Sequence, residues 1–157
     1  MKVVYTGEKI INNENSCFLA GPTPRTSSVA SWRNKAISLF SKLGFNGTLY
    51  VPEFREKSYY DVDTGIKEMK WDQEALESSK VVMFWIPRNP DMLGLSTNIE
   101  FGYLLSKGNF IYGRPNTALR CEFLDFLYKD KLGKDYCDTL ENTVKSVINY
   151  LKDGSYE

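Results

Sequence analysis

Histidine is absent from the 157 residues of this chain. This absence excludes the histidine general base, the serine–histidine and cysteine–histidine nucleophile pairs, and the commonest metal ligand. Any acid–base chemistry must therefore depend on carboxylates, tyrosines or lysines.

Cysteine is scarce, and no two cysteines have the spacing of a redox or zinc motif. The three residues, Cys17, Cys121 and Cys137, are odd in number and far apart. This pattern is typical of reduced thiols in a cytoplasmic protein, and it argues against a disulfide framework or a zinc site.

The chain also lacks a charge excess and a long apolar run. Its 20 basic and 20 acidic residues cancel, so no basic field attracts nucleic acid or an anionic membrane. The apolar runs are shorter than the ~20 residues that a membrane span needs, and the N-terminal run is too short for a signal peptide. We expect a soluble cytoplasmic protein that binds neither membranes nor polymeric nucleic acid.

Strand and helix patterns alternate along the chain. Apolar runs that end at glycine or proline predict parallel strands buried on both faces, and stretches of helical spacing lie between them. The predicted strands are 16–20, 48–51, 81–86, 109–112 and a short one near 135–137, and the predicted helices are about 29–43, 66–79, 97–106, 118–131 and 139–152. We expect one α/β domain over residues 1–157, with a flavodoxin-like doubly wound parallel sheet of about five strands and helices on both faces.

In such a fold, ligands bind beyond the carboxyl ends of the strands. The loops at those ends contain Gly21-Pro22, Pro52-Glu53, residues 87–95 and residues 113–116. None is a G-x-G-x-x-G or Walker loop, so we expect no dinucleotide cofactor and no triphosphate bound in the familiar way. The tyrosine- and acid-rich segment 59–63 lacks the glycine and final glutamate of a calcium loop, and we interpret it as a lid or substrate loop.

Glu100 is a candidate nucleophile because it follows the most apolar predicted strand and lies at a predicted helix start. With Thr97 as the N-cap, Glu100 would occupy the first turn, where the helix dipole favours an ionised carboxylate. The same spacing fits a structural capping box, in which each of the two side chains satisfies a backbone N–H near the other. The spacing by itself leaves both interpretations open.

Four segments between residues 16 and 116 share a pattern with a known family. They are Phe18-Leu19-Ala20-Gly21-Pro22; Trp71-Asp72-x-x-x-Leu76; Phe84-Trp85-Ile86-Pro87-Arg88; and Thr97-Asn98-Ile99-Glu100-Phe101-Gly102-Tyr103 with Gly113-Arg114-Pro115-Asn116. Together they resemble the nucleoside 2-deoxyribosyltransferase family, including its shorter nucleoside deoxyribosyltransferase-like branch. The last segment is the most specific, because it has the context of the family's nucleophile.

The resemblance implies transfer of a 2-deoxyribosyl group between nucleobases through a covalent glycosyl-enzyme on Glu100. An oxocarbenium-like transition state needs nearby negative charge rather than histidine or a metal, which agrees with the composition. Asp72 matches the acid that handles the proton on the nucleobase, although it also fits a solvated helix face. The implied partners are a nucleoside or nucleotide and a free nucleobase, with no cofactor and no metal.

Further substrate-binding residues follow from the same resemblance. Asp91 is the only carboxylate in the loop where the family has another acid, and Asn116 matches an asparagine that reaches the neighbouring subunit's pocket, which implies a homo-oligomer. Trp71 is the one tryptophan that we single out for stacking on a base. The implied substrate-binding residues are Gly21, Pro22, Trp71, Arg88, Asp91, Asn98 and Asn116.

Two other functions remain open. Arg25, Arg88 and Arg114 at strand ends are compatible with a phosphorylated substrate, which keeps nucleoside or nucleotide N-glycoside hydrolysis as an alternative. In that reaction water replaces the acceptor base. The altered loop around Asp91 leaves a non-catalytic nucleotide-sensing module as the other alternative.

Overall fold

The computed structural model describes residues 1–24, 28–55 and 62–153, apart from the side chains of 62–64 and 153. Within these ranges five parallel strands form one sheet in the order β1-β3-β2-β4-β5. The strands are β1 (Lys2–Tyr5), β2 (Ser16–Ala20), β3 (Thr48–Val51), β4 (Val81–Trp85) and β5 (Phe110–Gly113).

Helices cover both faces of the sheet, and they are α1 (Trp32–Lys42), α2 (Val62–Ser78), α3 (Leu95–Leu104), α4 (Glu122–Leu132) and α5 (Leu140–Asp153). The core cluster on one face contains side chains of α2, α3 and α4, and the cluster on the other contains side chains of α1 and α5. This arrangement confirms the predicted doubly wound α/β fold. None of the described helices has the length and apolar character required to cross a membrane.

The sheet has five strands, as expected, but not the same five. β1 was not predicted, because it is a four-residue strand at the edge of the sheet in which only Val4 is fully buried. The predicted strand near 135–137 is reduced to a single parallel bridge between Gly113 and Cys137. Two further sequence expectations fall on residues that the structure does not describe: Arg25, and residues 59–61 of the expected substrate loop, whose last two positions belong to α2.

Aromatic packing fixes α3 to the sheet. Phe101 is fully buried, and its ring centroid lies 5.2 Å from Phe84, 5.0 Å from Phe110 and 5.1 Å from Tyr112, all with edge-on geometry. Such pairs add to the large apolar area that each ring buries. The position of α3, and therefore of the neighbouring Glu100, depends on this cluster.

Substituting Phe101→Ala should lower the free energy of unfolding by about 3–5 kcal/mol, because it leaves a cavity inside the aromatic cluster. The matched control is Ser96→Ala on the same helix, where the side chain is exposed, and we expect a change within about 0.5 kcal/mol. Urea unfolding followed by circular dichroism measures both. Equal losses for the two variants would show that α3 is not anchored through Phe101.

Candidate active site

The candidate site lies at the carboxyl ends of β2 and β4, where the winding of the sheet reverses. The chain passes from β2 to β3 on one side and from β4 to β5 on the other. The helices that follow these two strands, α1 and α3, pack on opposite faces. This reversal is the topological switch point of the sheet, which is where ligands bind in this class of fold.

The start of α3 differs from the sequence prediction. Its N-cap is Gly94 in the left-handed conformation, with φ 63°, and no side chain caps the helix. Thr97 is the third helical residue and is buried, so the predicted N-cap and capping box are wrong. Glu100 consequently lies in the second turn, where the helix dipole has little effect because its influence falls off within the first turn.

Burial dominates the electrostatics of Glu100. It raises the pKa of the Glu100 carboxyl to about 7, and the positive charge of Arg33 partly opposes this increase. The sequence predicted that a helix end would stabilise the ionised form of Glu100. Burial instead removes water from the carboxylate and destabilises its ionised form. At neutral pH a group with such a pKa can be either charged or protonated.

Asp72 on α2 belongs to the same electrostatic cluster. Burial, followed by the negative charges of Glu68 and Glu100, raises the pKa of Asp72 to about 7, against a smaller lowering by Arg33. One carboxylate oxygen of Asp72 and one of Glu68 are buried with no hydrogen-bond partner in the described part of the chain. The structure thus brings together Glu100 and Asp72, and it shows that Asp72 is not on a fully solvated helix face.

Arg33 and Glu68 were missed in the sequence analysis. Glu68 precedes Asp72 by four residues, the spacing of neighbours on one helix face, and burial raises the pKa of Glu68 as well. Arg33 is the second residue of α1 and is only 1% exposed. The sequence places Arg33 between two apolar positions of the helix, Trp32 and Ala36. That position could have indicated a buried charge, which requires partners.

Gly21 and Pro22 form the loop that follows β2, and both lie against β4 or its loop. A Cβ atom on Gly21 would approach the Trp85 carbonyl oxygen to 2.1 Å, and the residue has φ 149°. Pro22 lies beneath Gly94, where an added Cβ would be 2.6 Å from the proline ring. Glycine is therefore required at both positions by the close approach of the two loops.

Arg88 and Asn98 contact each other directly. Arg88 is buried, and its guanidinium donates hydrogen bonds to the side-chain oxygen of Asn98 and, at 2.9 Å, to the carbonyl of Arg120. Its Nε is buried without a partner among the described residues. Arg114 is likewise engaged, in a forked ion pair with Asp125 whose shorter distance is 2.6 Å.

The remaining predicted site residues are spread around this centre. Trp71 is buried, donates a 2.7 Å hydrogen bond to the carbonyl of Glu8, and packs edge-on against Tyr50. Asp91 is exposed in the turn that Asn89 closes. Asn116 is exposed too, and its side chain accepts a 3.4 Å hydrogen bond from Tyr136. Asp91 and Asn116 do not belong to the cluster of interacting carboxylates.

These features define a doubly wound α/β protein with coupled carboxylates at its switch point. The model of the family described as "Nucleoside 2-deoxyribosyltransferase like" matches residues 14–117, and the chain belongs to this family. A solved structure of a 2-deoxyribosyltransferase from the psychrotolerant bacterium Bacillus psychrosaccharolyticus has a similar fold, with a TM-score of 0.63 and 17% sequence identity over 87% of this chain and 95% of that chain. A search of curated proteins finds no match.

Asp72→Asn should stabilise the protein at about pH 8 and have little effect near pH 4. The folded-state pKa of Asp72, about 7, exceeds its ordinary value of 3.8. The folded state therefore binds more protons between these values, so the contribution of Asp72 to stability is present below the lower pKa and is lost as the pH rises through the upper one. We expect a gain on the order of 1 kcal/mol, or about 2–4 °C in Tm.

Thermal unfolding of both proteins across this pH range measures the difference. The matched control Glu74→Gln removes an exposed carboxylate from the same helix and should change Tm by less than about 1 °C at any pH. A stabilisation by Asp72→Asn that is independent of pH would contradict the burial of a titrating carboxyl.

Proposed function

We propose that the protein is a nucleoside 2-deoxyribosyltransferase, with Glu100 as the nucleophile and Asp72 as the acid and base. The observation that supports this most directly is the pair of carboxyls at the switch point, whose pKa values are both raised to about 7. Two carboxyl groups of this kind are the machinery of retaining glycoside cleavage, in which one attacks and the other transfers a proton. The description of the family, "Nucleoside 2-deoxyribosyltransferase like", names a reaction that such a pair of carboxyls could catalyse.

In the first step, the ionised carboxylate of Glu100 attacks C1′ of a bound 2′-deoxynucleoside. A bond forms between a carboxylate oxygen and C1′ while the bond between C1′ and the base nitrogen breaks. The electron pair of that bond leaves on the nucleobase, and the protonated carboxyl of Asp72 supplies the proton that neutralises the leaving base. The products are a glycosyl ester on Glu100, an ionised Asp72 and a free base.

In the second step, another nucleobase attacks C1′ from the side that the first base left. Asp72 accepts the proton from the ring N–H of the incoming base, and the ester bond breaks to restore the carboxylate of Glu100. Two inversions give overall retention of configuration, and the order of events gives ping-pong kinetics.

The surroundings of the two carboxyls support this division of roles. Asp72 and Glu100 repel each other and both face the positive charge of Arg33, but Asp72 also faces the negative charge of Glu68. Negative neighbours hold a proton on a carboxyl, and a positive neighbour promotes its ionisation. A pair that shares one proton near neutral pH would therefore carry it on Asp72 and leave Glu100 charged.

The remaining predicted contacts complete the proposal. Gly21, Pro22, Arg88 and Asn98 lie on the loops and the helix start around the switch point, where the substrate would bind. We retain Trp71 and Asp91 as proposed substrate contacts on the resemblance of their segments to the family. The ion pair of Arg114 with Asp125 gives that arginine no evident role in binding a phosphate.

A homo-oligomer is part of the proposal. Asn116 is exposed, as a residue that reaches into a neighbouring pocket must be. The helices α3 and α4 and the segments before them also present an unusual number of large apolar side chains to solvent, which is typical of an interface. These side chains are Leu93, Leu95, Ile99, Tyr103, Leu119, Phe123 and Phe126.

Glu100→Gln should abolish base exchange, lowering its rate by at least about a thousandfold, because the amide cannot form the glycosyl ester. Incubation of a deoxynucleoside with a second free base, followed by chromatography, measures the exchanged nucleoside. Acid quenching without acceptor base, followed by mass spectrometry, should show one 2-deoxyribosyl group on the wild-type peptide that contains Glu100. The variant should carry none.

The same assay separates the alternatives. Free base without exchanged product at high acceptor concentration would identify an N-glycoside hydrolase. Neither exchange nor hydrolysis of nucleosides and nucleotides, together with equal ligand-induced stabilisation of wild type and Glu100→Gln, would identify a sensing module and overturn the proposed activity.

The pH dependence of kcat/KM should be bell-shaped with a maximum near about pH 7. Protonation of Glu100 removes the nucleophile on the acid side, and ionisation of Asp72 removes the acid on the alkaline side. Repulsion between the two groups separates their apparent pKa values around 7. Steady-state exchange rates in buffers of constant ionic strength provide the test, and a rate unchanged from about pH 5 to about pH 9 would exclude this acid–base pair.

A further inference from the structure

Arg33 connects three parts of the candidate site although its guanidinium lies below the surface. It is 1% exposed, and it donates hydrogen bonds to the carbonyls of Leu19 at 2.9 Å and Gly21 at 2.7 Å. It also donates to the Thr23 hydroxyl at 3.0 Å and to the carboxylate of Glu53 at 2.6 Å. One side chain of α1 thus holds the end of β2, the loop after it and the segment that follows β3.

The Gly21-Pro22 loop, which Arg33 holds in place, contacts the end of β4 and the start of α3. Gly21 packs against the carbonyl of Trp85 at the end of β4, and Pro22 packs against Gly94, the N-cap of α3. The carbonyl of Pro22 accepts a 3.0 Å hydrogen bond from the indole of Trp32, the neighbour of Arg33. A displacement of the Arg33 guanidinium would therefore change the position of α3, the helix that carries Glu100.

The charge of Arg33 also acts on both carboxyls of the site, and Glu53 moderates that charge. Arg33 favours ionisation of Glu100 and of Asp72, and Asp72 additionally faces Glu68. Glu53 is fixed as a counter-ion by the hydroxyl of Ser31, the N-cap of α1, which donates a 2.6 Å hydrogen bond to the same carboxylate oxygen. Glu53 is thus placed to weaken the positive field that Arg33 exerts on the site.

We propose that Arg33 and Glu53 form a positioning and charge-setting pair, which holds the Gly21-Pro22 loop against α3 and sets how readily Glu100 ionises. The proposal rests on the proposed function in taking Glu100 as the nucleophile. Neither residue contacts the reacting atoms in this account, so both act through Glu100. The hydrogen bonds of Arg33 position the Gly21-Pro22 loop, and its charge favours ionisation of Glu100. Substitutions can separate these two contributions.

The charge contribution is tested by carboxyl NMR on protein with ¹³C-labelled glutamate, with the Glu100 signal assigned by its loss in Glu100→Gln. Glu53→Gln leaves the Arg33 charge without its counter-ion, and we expect the pKa of Glu100 to fall by about 0.5 or more. The double variant Arg33→Met with Glu53→Gln removes both charges, and we expect a rise of similar size. The control Glu141→Gln, which removes a carboxylate paired with Lys145 on α5, should leave the Glu100 titration unchanged.

The positioning contribution is tested by Arg33→Lys, which keeps the charge but loses the forked hydrogen bonds to the two carbonyls. We expect kcat/KM for base exchange to fall about tenfold or more at every pH, with the midpoint of the acid limb unchanged. The double variant should instead move that midpoint to higher pH. Circular dichroism confirms that each variant is folded before it is compared.

Two results would overturn the proposal. One is a Glu100 titration that is the same in wild type, Glu53→Gln and the double variant. The other is an Arg33→Lys protein with the kcat/KM of wild type. Because the NMR titration needs no substrate, it tests the charge-setting role even if the wild-type protein proves inactive in base exchange, which would be a failure of the proposed function alone.

Discussion

The hydrogen bonds of the buried Arg33 guanidinium join the strand ends at which the candidate site is built. They satisfy backbone carbonyls at the end of β2 and the carboxylate of Glu53 after β3, and they start from a helix that covers the opposite face from α3. A buried cation is tolerated only when it is paired and hydrogen-bonded, and removal of one partner leaves the others uncompensated. The geometry of the Gly21-Pro22 loop and the electrostatic field at Glu100 therefore depend on the same group.

The carboxyl cluster opposes the stability of the fold. Burial raises the pKa values of Glu68, Asp72 and Glu100, which means that ionisation of each costs free energy in the folded protein. Phe101, the residue after Glu100 on α3, packs against Phe84 and Phe110 of the sheet, and the apolar burial of this aromatic cluster offsets such a cost. Functional sites commonly retain destabilising groups of this kind, because the chemistry needs them in a perturbed state.

Much of the fold could be predicted from sequence patterns, and the failures have local causes. The apolar strands β2 and β4 and the helices between them were found because burial on both faces and helical spacing are visible in the sequence. The start of α3 was placed at Thr97 because its hydroxyl is a favourable cap, whereas the chain caps the helix with Gly94, where the close approach of Pro22 requires glycine. The edge strand β1 was missed because a four-residue segment with one fully buried side chain carries little signal.

The sequence by itself determined which chemistry was available. With no histidine and no glycine-rich phosphate loop, acid–base work fell to carboxylates. Glu100 was identified by its place after a strand end and by family resemblance, and Asp72 by family resemblance. Only the tertiary structure decided the state of those carboxyls. Their pKa values depend on burial and on the charges of Arg33 and Glu68, which come from different helices. Hydration and distance to these charges are set by the packing of helices around the sheet, and neither can be obtained from spacing along the chain.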